Sequence, residues 1–311
     1  MTIRTFQVGD DVAQVSIYNE AAAQLPRFKP ATVDEVRRRI RGPEFDPTTR
    51  FYAIAEGRPV GYILYQPNGR ISYPWCRKGH EHLQIPLLSQ AMEAMRSRGM
   101  HRVFAAYRGD WPLQRDFFFA HGFQQTRELM NFYLDLVDMP TPARPHSVLS
   151  ELRPADMPQV LQLGAGVLRT TNPATLEECL LRNPYFPPES LFALRSKADD
   201  HLLAVGLLIT NPSYANPKEL DAGMPCFRLG AFGTEQMTTK RVNGMFSFLA
   251  VQTNEFTACA LDLLGHATQR LEETDIETFA AQVPSDAAHL VRFYKSVFRR
   301  QGSFPIFERE L

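Results

Sequence analysis

At 311 residues the chain exceeds the size at which one hydrophobic core usually stops growing, so two domains of about 100 to 200 residues are expected. With 34 basic and 34 acidic side chains the formal net charge is zero and no Lys/Arg run stands out; nucleic acid and membrane are excluded as electrostatic partners, leaving small molecules, peptides or an oligomer. Apolar runs such as LLAVGLLI from Leu202 fall short of the roughly 18 residues of a membrane span, MTIRTFQVGDD has no signal-peptide pattern, and Cys76, Cys179, Cys226 and Cys259 form no C-x-x-C pair, so a cytoplasmic protein with reduced thiols is expected.

In chain order, IRTFQV reads as a strand and DDVAQVSIYNEAA as a helix with Asp10 or Asp11 as its N-cap. ATVDEVRRRIRG carries a capping box at Thr32 and Glu35. RFYAIAEG and PVGYILYQ read as strands, and Asn68-Gly69 turns the chain into RISYPW. HLQIPLLSQAMEAMRSRG has helical spacing and ends on Gly99, HRVFAAY is a strand, and PLQRDFFFAHG is a helix closed by Gly122. ELMNFYLDL alternates as a strand, and VDMPTPARPHSV is a linker. The domains are therefore expected at 1–138 and 150–311, joined by 139–149.

The second half repeats the first. DVAQV from Asp11 returns as DMPQV from Asp156, and PVGYILY from Pro59 returns as AVGLLIT from Ala204, both 145 residues later. Leu87-Leu88 match Leu263-Leu264, Asp110 matches Asp286, and Phe117-Phe118 match Phe293-Tyr294, all 176 residues later. The second copy thus gains 31 residues between Thr210 and Leu249, a length that suits a wall of a substrate groove. One copy carries a phenol, Tyr294, where the other has Phe118.

This element order, with a helix ending FFFAHGF and a last strand ending FYLDL, resembles the GNAT superfamily of acyl-CoA-dependent N-acyltransferases in both halves. The resemblance implies an α/β (α+β) protein of two GNAT-like domains, each a mixed, mostly antiparallel sheet flanked by helices. It also implies a loop of pattern R/Q-x-x-G-x-G/A whose amides hold the coenzyme A pyrophosphate at a helix N-terminus. Counting back from the leucine pairs puts that loop at Gly79, His82 and Gln84 in the first copy and at Glu255, Ala258 and Ala260 in the second. The large side chains of His82 and Gln84 are expected to close the first site. The second, with Thr257 before and Cys259 between its alanines and strand backbone at Leu249 and Val251 for the thioester, is expected to bind acetyl-CoA.

By the same resemblance Tyr294 is the general acid that protonates the leaving thiolate, a proton phenylalanine cannot give. Its plain alternative is a half-buried core tyrosine. A base for the amine acceptor is expected among Glu219, Asp221 and Glu235, with Glu235 preferred; solvated surface carboxylates are their plain alternative. Arg241 and Gly244 in RVNGMF also fit R-x-x-G, but the constant offset makes them the entry to the strand MFSFLAV. The rival from another class is a non-catalytic GNAT-fold protein that senses acyl-CoA or binds a partner. HEH at His80 to His82 reads as a polar loop rather than a metal site.

Overall fold

The computed structural model describes all residues except 1, 42–44, 141–146, 169, 183–185, 187, 211–243 and 273. The first unit, Met1–Arg127 with Phe304–Leu311, starts with β1 (Thr2–Thr5), α1 (Asp10–Ala22) and α2 (Val33–Arg41). β2 (Arg50–Ala55), β3 (Arg58–Leu64) and β4 (Trp75–Cys76) then complete an antiparallel sheet in the order β1-β2-β3-β4. The long helix α3 (Gln84–Ser97), β5 (Arg102–Ala106) and α4 (Pro112–Ala120) follow. β5 is paired antiparallel by the end of the chain, Ile306 to Glu310.

Local chemistry accounts for the helix boundaries with one correction. Thr32 and Glu35 exchange reciprocal bonds of 3.0 and 3.2 Å at the start of α2, as the capping box requires. At α1, however, the N-cap is Gly9 at φ 100°, and Asp10 is already helical. The Asp10 carboxylate is drawn back onto Arg4 at 2.6 and 2.9 Å and the Gln7 N–H at 2.7 Å, so neither Asp10 nor Asp11 caps.

The second unit, Glu128–Ser303, takes most of β6 (Gln124–Asp135), then β7 (Ser147–Ser150), α5 (Met157–Leu163), α6 (Pro173–Leu181), β8 (Leu191–Ser196) and β9 (Leu202–Ile209). β10 (Gly244–Ala250), α7 (Phe256–Leu271), β11 (Thr278–Pro284), α8 (Ala288–Val297) and the start of β12 (Arg299–Glu310) complete it. Its strands run in the order β6-β11-β10-β9-β8-β7, antiparallel except for the parallel pair β10–β11. A buried ion pair ties the strands to the turn before α5. Arg195 meets Asp156 at 2.5 Å and Ser150 Oγ at 2.9 Å, while Asp156 also accepts the Arg153 N–H at 2.7 Å.

The repeat is structural as well as sequential: Gly61 in β3 and Gly206 in β9 occupy equivalent positions for the same reason. A Cβ on Gly61 would lie 2.7 Å from Cys76 Sγ, and one on Gly206 would lie 2.3 Å from the Phe192 ring. Chain order and packing divide the protein differently, however. Phe132 of β6 is part of the second unit's core and Phe307 of β12 part of the first's. Each unit is therefore finished by the last strand of the other copy, and β7 begins within the stretch 139–149 that reads as linker.

Burial raises the pKa of Tyr62 and Tyr107 in the first unit and of Tyr294 in the second. A raised folded-state pKa means stability that is complete below the unfolded value near 10 and is lost as pH rises above it. Urea unfolding is therefore expected to show a lower midpoint at pH 10.5 than at pH 9. Equal midpoints at the two pH values would contradict it.

Candidate active site

In the second unit β10 and β11 are in register only at Gly244↔Phe279 and Met245↔Ala280; toward Val251 and Pro284 they are no longer paired. The Val251 N–H bonds the Leu203 carbonyl at 2.9 Å. Directly opposed, bonded residues recur every second position in an antiparallel ladder, so Leu249 and Val251 turn their backbone to β9. Phe248 and Ala250 turn theirs toward the split. This corrects the expectation for Leu249 and Val251 by one residue: the backbone available to an extended ligand chain belongs to Phe248 and Ala250. The Leu249 side chain packs toward Gly164 at the end of α5.

Helix α7 opens beside this split. Phe256 N–H is held by the Thr253 carbonyl at 3.1 Å, Glu255 N–H meets Thr253 Oγ1 at 3.3 Å, and Cys259 N–H bonds the Glu255 carbonyl at 2.9 Å. The amides of Thr257 and Ala258 have no partner among the described residues, as donors at a helix start commonly do. Thr257 is exposed and Ala258 half-buried, so both amides border solvent, with the exposed Glu255 next to them. Cys259 and Ala260 face the core, and Ala260 is 0% exposed. They seat the helix on the sheet. Burial first, then Glu255 and Asp262, pushes the Cys259 thiol up to about 11, so it stays protonated at neutral pH.

Strand alternation places Phe248, Phe279, Ala281 and Phe132 on the face that carries α7 and α8. Tyr294 of α8 lies there at 1% exposure. Its ring stacks on Phe132 at 5.6 Å, tilts on Phe248 at 5.6 Å and meets Phe298 edge-on at 4.9 Å. It thus spans β10, β11 and β6 beneath the split. Its hydroxyl has no hydrogen-bond partner among the described residues, and burial alone raises its pKa. The side chain is fully buried rather than half-buried. Ala287, at the head of this helix, is buried.

Two residues of this site are absent from the sequence reading. The Phe256 ring packs against Phe248 at 5.6 Å, His289 at 5.4 Å and Phe293 at 6.4 Å, closing the space between the starts of α7 and α8. Burial lowers the His289 pKa, which keeps that imidazole neutral at physiological pH. The signal available was the i, i+4 spacing of His289 and Phe293 on α8. Glu219, Asp221, Glu235 and Arg241 lie outside the described residues, as does most of the 31-residue gain; Gly244 opens β10, as the offset requires.

In the corresponding region of the first unit several backbone donors are taken within the protein. Ile71 and Gly69 still bond Phe104, at 2.8 and 2.9 Å, but the next amide of that phase, Tyr73 N–H, donates to the Tyr107 hydroxyl. The rings of Tyr73, Trp75, Tyr107, Trp111, Phe117 and Phe118 pack together where the strands part. The loop donors are also taken. Gly79 N–H meets Glu81 Oε1 at 3.1 Å, Lys78 N–H meets Glu20 at 3.1 Å, and Arg77 bonds Glu20 and Ser16. Backbone amides hold the Glu81 carboxyl below its usual range. Carboxylates and rings make these contacts; the His82 side chain is exposed, and Gln84 donates to the Tyr73 hydroxyl at 2.7 Å.

Among solved structures, a GCN5-related N-acetyltransferase from Sphaerobacter thermophilus matches with a TM-score of 0.60 at 14% identity, over 99% of this chain and 95% of that one. A tandem GNAT protein from the clavulanic acid biosynthesis pathway matches with a TM-score of 0.49 at 14% identity, over 99% and 98%. No family model and no curated protein matches the sequence. The chain therefore carries a tandem GNAT fold, each copy a mixed α/β sheet flanked by helices. At such low identity the likeness establishes the fold, and the activity rests on the site. Among the described residues no helix is long and apolar enough to cross a membrane.

Proposed function

We propose that the protein transfers an acetyl group from acetyl-CoA to an amine, small or peptidic, at a site in the second copy. The observation that carries this reading is the buried Tyr294 side chain, whose hydroxyl has no hydrogen-bond partner among the described residues, set against splayed strands whose backbone at Phe248 and Ala250 is turned to the gap. The chain offers a fitting cradle: unpaired amides of Thr257 and Ala258 for a pyrophosphate, the strand edge for an extended amide-bearing arm, and a phenol for a thiolate. Acetyl-CoA supplies an activated acetyl carbon and a thiol leaving group. The residues do the rest. Phe256 and Phe248 exclude water, Tyr294 donates its proton to the sulfur as the carbon–sulfur bond breaks, and Glu235 takes the proton released by the attacking amine.

A second reading, acyl-CoA sensing without turnover, is favoured by the glycine-free start of α7 and by Glu255, whose charge opposes a bound pyrophosphate. One experiment separates the readings. Acetyl-CoA at 100 times its Kd is expected to add about 2.7 kcal/mol to stability, read as a raised melting temperature, and thiol release in the presence of an amine panel then reports turnover. No shift would refute both readings; a shift without thiol release would leave the sensor.

A further inference from the structure

Asn131 and Gln282 lie directly opposite each other on β6 and β11. Gln282 Nε2 donates to Asn131 Oδ1 at 2.9 Å, and the two residues are 8% and 0% exposed. Asn131 Nδ2 is left as a fully buried donor with no partner among the described residues. A buried unpaired amide hydrogen destabilises a fold and calls for an explanation.

Strand alternation puts this pair on the face of the sheet opposite α7 and α8, the face against which Leu249 meets the end of α5. Two residues to either side of Asn131 on that face, Leu129 and Tyr133 are only half-buried, so the face reaches solvent beside it. β11 stands between Asn131 and the split. A group reaching Nδ2 therefore comes across the α5 face, not along the gap between β10 and β11. Strands are spaced by about 4.8 Å, which puts β6 roughly 7 Å from the middle of the split. An amine nitrogen in the split, a carbonyl oxygen roughly 3 Å further along the same molecule and a hydrogen bond of about 3 Å span that distance.

On the reading of the second copy as a transferase, we propose that Asn131 Nδ2 recognises the acceptor by donating to the oxygen of a carbonyl group attached to the carbon that bears the reacting amine. The acceptor is then an α-amino amide or a peptide amino terminus rather than a simple alkylamine. Gln282 is the positioning residue, holding the Asn131 side chain by its oxygen so that the nitrogen faces the ligand.

The test uses the full chain with acetyl-CoA and two amines of similar size, alaninamide and 2-aminobutane, which differ in the carbonyl. The melting shift given by acetyl-CoA alone is read first; its absence sinks the transferase reading as a whole, whereas the choice between the two amines bears on Asn131 alone. With the shift present, alaninamide is expected to show at least a tenfold higher kcat/KM than 2-aminobutane in the wild type, and Asn131→Leu to remove that preference chiefly through KM. Should the leucine variant not fold, Asn131→Ser is expected to show the same loss. Equal use of the two amines by the wild type, or a preference that survives substitution, overturns the proposal. If neither amine is turned over, a melting shift given by alaninamide with coenzyme A and lost in the Asn131 variant supports it, and no such shift overturns it.

Discussion

Tyr294→Phe is expected to lower kcat by roughly 10² to 10⁴ while leaving KM and stability almost unchanged. The ring is the structural part of the side chain: its contacts with Phe132, Phe248 and Phe298 are all aromatic and survive the loss of the hydroxyl. The hydroxyl makes no hydrogen bond to a described residue, so no protein bond is lost with it. Phe118 shows the same position without an oxygen, fully buried among Tyr107, Phe123 and Phe307. Because burial raises the Tyr294 pKa, the acid stays protonated to higher pH than a free phenol, and kcat is not expected to fall through its ionisation near pH 10. Equal turnover by wild type and variant would show that the hydroxyl is incidental. A loss of several kcal/mol in urea unfolding would instead reveal a buried hydrogen bond.

Ala258→Trp is expected to abolish the stabilisation by acetyl-CoA, the whole of the roughly 2.7 kcal/mol available at 100 times the wild-type Kd. Ala258 is in the first turn of α7, half-buried, next to the amides at that helix start that have no partner among the described residues. An indole there occupies the space in front of those amides while the core residues Cys259, Ala260 and Leu263 keep their places, so the ligand-free melting temperature should change little. Glu81→Ala in the first unit is the control and should leave the acetyl-CoA response intact, since the packed rings from Tyr73 to Phe118 still close that gap. Retained binding by the Ala258 variant, or binding lost in the Glu81 variant, would move the cofactor site to the first copy.

Elements whose cause is local were readable from a few consecutive residues. The Thr32–Glu35 capping box and the left-handed glycines Gly99 and Gly122 appear where the sequence puts them. The Asp10 carboxylate was misplaced because a more distant partner, Arg4, outcompetes the helix amides. Tyr294 was legible as a difference between two copies, but its missing partner was not, since that depends on Phe132 and Phe248 from two separate strands. Phe256 was not singled out by the sequence, because its contact with His289 joins two helices that are far apart in the chain.

By itself the sequence determined that the chain is one unit twice over, with equivalent helices and strands at offsets of 145 and 176 residues. It did so because helix and strand periodicity and turn chemistry act between near neighbours. Only the tertiary structure decided which residues face the split and which strand completes which core. The ladder phase at Val251 transfers the available backbone from Leu249 to Phe248 and Ala250. Each copy ends on one long strand, β6 or β12, and which core it completes is settled by how Phe132 and Phe307 fill the two cores. That exchange brings Asn131, a residue of the first copy, opposite Gln282 of the second, because strand pairing depends on contacts across the fold that no local pattern encodes.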